Sequence, residues 1–141
     1  MDLILVCRDA LMDSVITNVG IALEERKKGR EVALLFTGEA LHALTRESFR
    51  WSPLFQDRST RARILKNATA MGIEAGDRKD SRWADLSRLL ELAAEKGVKL
   101  LACPLWTDIL EAKDNLPRQL NRIDREAFFK ALREAQIVGS F

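Results

Sequence analysis

Leu3-Ile4-Leu5-Val6-Cys7 and Val32-Ala33-Leu34-Leu35-Phe36 bracket the stretch that decides the fold. Both are unbroken apolar runs without polar alternation, as expected of strands buried on both faces of a parallel sheet. Between them Leu11, Met12, Val15, Ile16, Val19, Ala22 and Leu23 recur at helical spacing. Asp9 or Asp13 is the expected N-cap, and Arg26-Lys27-Lys28 followed by Gly29 suits a C-terminus. Gly20, which costs about 1 kcal/mol against Ala inside a helix, is expected where the helix packs closely on the sheet. Strand, helix and strand in this order make a βαβ unit with a right-handed connection.

Working outward, Thr37-Gly38-Glu39 starts a short helix, and residues 46–58 show no clean period and read as an irregular connection. A helix is expected from Thr60 to Met71, with Ile64, Leu65, Ala68 and Met71 inward, ending at Gly72. Residues 76–80 read as polar and exposed. Asp80 or Ser81 then caps a helix with Trp83, Leu86, Leu89, Leu90 and Ala93 inward, ending at Gly97. Val98 to Cys103 is a third buried strand, and Pro104 behind it suits a first helical position. Leu105, Ile109 and Leu110 would line the inner face of that helix. Leu120 to Ile123 reads as a fourth strand, and Asp124 caps a helix carrying Phe128, Phe129 and Leu132. A last strand spans Gln136 to Ser140. The pattern predicts one domain over residues 1–141, a three-layer α/β/α sandwich around a mostly parallel sheet of four to five strands.

The 141 residues are 47% hydrophobic and 31% charged, an ordinary globular balance. A net charge of +2, from 23 basic and 21 acidic side chains, is too balanced to argue for nucleic acid on composition alone, and a nucleic-acid partner is not expected. No stretch has the features of a signal peptide or the roughly 18–20 apolar residues of a membrane span. A cytoplasmic protein off the membrane is expected, with Cys7 and Cys103 as free thiols.

Ligands in open parallel sheets gather at the carboxyl ends of strands, and both cysteines end a strand. Cys103, before Pro104, takes the N-cap position, where unsatisfied N–H groups and the helix dipole favour the reactive thiolate. Asp108, about one turn on, opposes ionisation. Cys7 reads more as a small core residue. His42, the only histidine, is a secondary acid/base candidate. Trp106, with Trp51, suggests a contact surface if it is exposed near Cys103.

No cofactor or metal is predicted. The turn Cys7-Arg8-Asp9-Ala10 has no glycine to admit a pyrophosphate, and two distant cysteines without a C-x-x-C or H-x-x-H pair make no zinc signature. The arginine-rich stretch between residues 46 and 88 has two readings, a surface for an anionic partner or nucleic acid and a solvated helix face; the interspersed acids favour the second, with Trp83 in the core.

Leu35-Phe36-Thr37-Gly38-Glu39-Ala40-Leu41, Ala70-Met71-Gly72, Gly97-Val98-Lys99-Leu100-Leu101-Ala102-Cys103 and the closing Ala135-Gln136-Ile137-Val138 with Phe141 resemble the DsrE/DsrF-like family over nearly the whole chain. The resemblance implies a small α/β/α protein of sulfur metabolism, assembled as an oligomer and carrying sulfane sulfur as a persulfide on Cys103. A rhodanese-like protein is the implied class of donor or acceptor. Relatives often have methionine and serine after the cysteine, where this chain has Pro104-Leu105-Trp106. Two other readings stand beside sulfur relay: a non-catalytic oligomeric interaction subunit, and a small-molecule module at the strand carboxyl ends.

Overall fold

The apolar runs become the middle of one sheet. A computed structural model of the chain describes residues 1–80 and 82–139. Its strands are β1 (Leu3–Cys7), β2 (Val32–Phe36), β3 (Lys99–Ala102), β4 (Asn121–Arg122) and β5 (Gln136–Val138). They lie in the order β4-β3-β2-β1-β5, and every neighbouring pair is parallel. The helices are α1 (Met12–Lys27), α2 (Gly38–Arg46), α3 (Arg58–Ala70), α4 (Leu86–Glu95), α5 (Pro104–Ile109) and α6 (Arg125–Glu134), with a 3₁₀ turn at Pro53–Phe55.

Because side chains alternate along a strand, the sheet has two apolar faces. Leu5, Cys7, Leu34, Phe36, Leu100 and Ala102 pack with residues of α1, α2 and α4. Ile4, Ala33, Leu35, Leu101 and Cys103 pack with Phe128, Ala131 and Leu132 of α6. Strands one to four step in one direction, and α6 then carries the chain back to the far side of β1. Right-handed crossovers require its helix on the opposite face. The three-layer α/β/α architecture follows.

Several local expectations are corrected. Leu11, not an aspartate, is the N-cap of α1. Asp9 instead accepts from the Leu11 N–H at 3.1 Å and the Ser14 hydroxyl at 3.0 Å. Asp13 accepts from the Ser52 N–H at 2.9 Å and its hydroxyl at 2.7 Å. That contact, with the Met12 N–H donating to the Arg50 carbonyl at 2.7 Å, ties the irregular segment to the start of α1 and buries Trp51 in the core. Gly20 packs on Ile73 rather than on the sheet: an added Cβ would lie 2.9 Å from its Cδ1.

α3 starts earlier than expected, capped by Asp57, and ends before Met71, which stands exposed. Gly76 is buried and bridges to Ala84 instead of lying exposed. α4 starts later, because Asp85 is its cap and accepts from the Arg88 N–H at 3.1 Å. Asp77 and Asp80 are used in the preceding turn, where they accept from the backbone of Lys79, Asp80 and Arg82. Trp83 therefore precedes the helix and is 51% exposed rather than buried. Ser81 and Ser140 lie outside the described residues.

α5 buries Pro104 and Thr107 and turns Leu105 and Ile109 outward, leaving only Leu110 against the core as expected. On α6, capped by Asp124 as expected, Phe128 is buried and Phe129 is exposed.

Candidate cysteine site

β3 brings Cys103 to the carboxyl end of the sheet, where its N–H donates to the Phe36 carbonyl at 3.0 Å. It is the N-cap of α5 with Pro104 behind it, and its own carbonyl accepts from the Thr107 N–H at 2.9 Å and the Thr107 hydroxyl at 2.8 Å. Those two bonds close the first turn and fix the backbone around the cysteine. Leu101 and Cys103 share one side of the strand, so the thiol enters the α6 layer among Ile4, Ala33, Leu35 and Phe128. It is 4% exposed. A persulfide carrier needs an accessible thiol, whereas this one is packed in the cluster that holds Phe128 of α6.

Beside it lies a small cleft of about 160 Å³, lined by Ala102, Pro104, Thr107, Asp108, Arg122 and residues 123–125. The Asp108 carboxylate, expected to oppose a thiolate, is paired with the Arg125 guanidinium at 2.8 Å, which links α5 to the first turn of α6.

Cys7 pairs in register with the same Phe36 but faces α1 and α4. Burial first, and the Asp9 charge second, push its thiol up to about 12, so it stays protonated near neutral pH. The two cysteines do not form one site. Both are free.

His42 is exposed on α2 and belongs to neither cluster around the cysteines. Trp106 is 38% exposed on α5, and its indole covers the start of α2, where an added Cβ on Gly38 would come within 4.0 Å of it. Gly38 has φ +54°, a left-handed conformation natural to glycine. Leu105, Trp106 and Ile109 leave an apolar surface on the helix that follows Cys103.

A larger cleft of about 780 Å³ runs between the end of α2 and the start of α4, with Arg46, Glu47, Asp85, Ser87, Arg118 and Gln119 on its walls. It was not legible in the sequence, because its walls come from four distant segments, Met12 among them, and the local signal there is the capping potential of Asp85. Among the described residues no group of three His, Cys, Asp or Glu side chains could hold a metal, and no helix is long and apolar enough to cross a membrane.

A search of the curated proteins found no match. A family model described as the DsrE/DsrF/DrsH-like family matches residues 2–138. With that match over nearly its whole length, and the parallel α/β/α fold that carries Cys103 on a strand end, the chain belongs to the DsrE/DsrF/DrsH-like family.

Proposed function

We propose that this chain is a cytoplasmic sulfur carrier that holds sulfane sulfur as a persulfide on Cys103 and hands it to a partner protein. Family membership supports sulfur relay in general. The observation that carries the choice of residue is the position of Cys103 immediately after β3, at the strand carboxyl ends where ligands of open parallel sheets gather. Two free cysteines suit a reducing compartment.

In the loading step the Cys103 thiolate attacks the outer sulfur of a donor persulfide. A Cys103–S–S⁻ group forms and the donor leaves as its thiolate, with no net oxidation. The exposed Leu105, Trp106 and Ile109 beside the cysteine suit contact with a rhodanese-like donor, an acceptor or a second copy of the chain. Transfer requires α6 to move off the thiol.

The test is intact mass after treatment with polysulfide, or with thiosulfate and a sulfurtransferase. An adduct of about 32 Da, one sulfur atom, is expected in the protein and in Cys7→Ser, and absent from Cys103→Ser. The burial of Cys103 favours a second reading, an interaction subunit whose cysteine is inert. Absence of the adduct, with Cys103 alkylated no faster than an ordinary thiol of pKa about 8.5, would decide for it.

A further inference from the structure

Charge is unevenly distributed over the surface. Residues 57–66 and 77–83 together hold seven cations and three acids, a surplus of four, although the whole chain carries only +2. On α3, Arg58, Arg63 and Lys66 are exposed and Arg61 is half-buried. Among the described residues none of them has a carboxylate partner, and neither do Arg78 and Lys79 in the turn that follows. The three acids are engaged locally: Asp57 caps α3 through the Thr60 N–H at 2.9 Å, Asp77 holds its own turn, and Asp80 pairs with Arg82 at 2.9 Å.

This surface has an aromatic centre. Trp83 is 51% exposed, and the Arg58 guanidinium carbon lies 5.6 Å from its ring centroid. The Trp83 carbonyl accepts from the Asp77 N–H at 2.8 Å, so the ring is carried at the base of the turn that presents Arg78 and Lys79. An exposed indole with the Arg58 guanidinium over it, on a surface whose other α3 cations have no carboxylate partner among the described residues, provides both a stacking platform and backbone neutralisation, the two elements of single-strand recognition. The outer face of α3 offers no apolar ridge to insert into a membrane, since Ile64 and Leu65 turn inward. An acidic peptide would use the cations but leave the indole idle.

We infer that the α3 surface around Trp83 binds single-stranded nucleic acid, with one base stacked on the indole and the phosphates along Arg58, Arg63 and Lys66. The inference is independent of the chemistry of Cys103.

The test is fluorescence anisotropy of labelled 12-nucleotide oligouridine and oligothymidine titrated with the full chain, with a decaglutamate peptide and phosphatidylserine vesicles as competitors. Binding is expected to weaken more than about tenfold between 50 and 200 mM salt, as release of several counterions requires. Trp83→Ala should weaken it at least about fivefold and Trp83→Phe should restore most of it, since stacking tolerates the change of ring. Arg63→Glu with Lys66→Glu should abolish it, with circular dichroism confirming that each variant is folded. The two oligomers separate RNA from DNA. The inference is overturned by no anisotropy change at 100 µM protein, by binding that the Trp83 variants leave unaltered, or by displacement of the oligonucleotide by the peptide or vesicles at equal charge concentration.

Discussion

Cys7 and Cys103 flank the same residue, Phe36, from its two sides, and their side chains enter opposite faces of the sheet. Two strand spacings of about 4.8 Å separate their backbones, beyond the roughly 7 Å Cα limit for a disulfide. Mild oxidant should therefore leave the folded monomer with no internal disulfide, and denaturing thiol titration afterwards should still find both thiols.

The buried Cys7 thiol makes stability depend on pH in the alkaline range. Its folded value of about 12 lies above the ordinary 9.0, so above that ordinary value the unfolded chain gives up a proton that the folded chain keeps. The contribution is fully present below about pH 9 and is lost as pH rises toward 12, at up to about 1.4 kcal/mol per pH unit. Cys7→Ala is less stable at neutral pH, and its deficit against the parent should shrink between pH 8.5 and 10.5 in urea unfolding.

α6 controls access to Cys103. Phe128→Ala removes its main apolar contact with the α6-side cluster and should cost about 3–5 kcal/mol. Asp124→Ala removes the cap that accepts from the Ala127 N–H at 2.8 Å and should cost about 1 kcal/mol. Both should speed alkylation of Cys103 under native conditions while leaving Cys7 protected, as measured by peptide mass mapping.

The Asp108–Arg125 pair joins α5 to α6, yet both side chains are well exposed. A double-mutant cycle with Asp108→Asn and Arg125→Gln should give a coupling below about 1 kcal/mol, smaller still in 0.5 M salt.

Gly97 ends α4 at φ +87°, and an added Cβ would meet the Arg26 guanidinium at 2.8 Å. Arg26 is fixed there by bonds to the Lys96 and Arg30 carbonyls. Gly97→Ala should lower stability by about 1–2 kcal/mol from backbone strain, and calorimetry should register a drop of several degrees in Tm.

The sheet was legible because β1, β2 and β3 are apolar runs, with one amphipathic helix between the first two, and because Asp124 and Pro104 mark helix starts unambiguously. Helix starts were misread where cap-type residues crowd together. Asp77, Asp80, Ser81 and Asp85 are all candidates by type, and only the tertiary bridge of Gly76 to Ala84 selects Asp85. That shift of a few residues moved Trp83 from core to surface and hid the basic platform around it. The position of Cys103 was legible; its exposure was not, since strand parity says that it leaves the Ala102 side but not that α6 lies over it. Leu105 and Ile109 misled because a six-residue helix need not bury its most apolar side when Thr107 can bond back to Cys103.

β1 takes its second neighbour from the far end of the chain, with Leu3 opposite Gln136 and the Gln136 N–H donating to the Asp2 carbonyl at 3.0 Å. During synthesis the α1 side of the sheet can be clad as β2 and β3 arrive. The opposite side, with Ile4, Leu35, Leu101 and Cys103, stays bare until α6 and β5 leave the ribosome. A nascent chain stalled before residue 125 thus carries a naked greasy sheet with a thiol in it. Such a chain is a natural client for chaperones and prone to aggregate, and the cysteine is most vulnerable to stray oxidants before α6 packs over it.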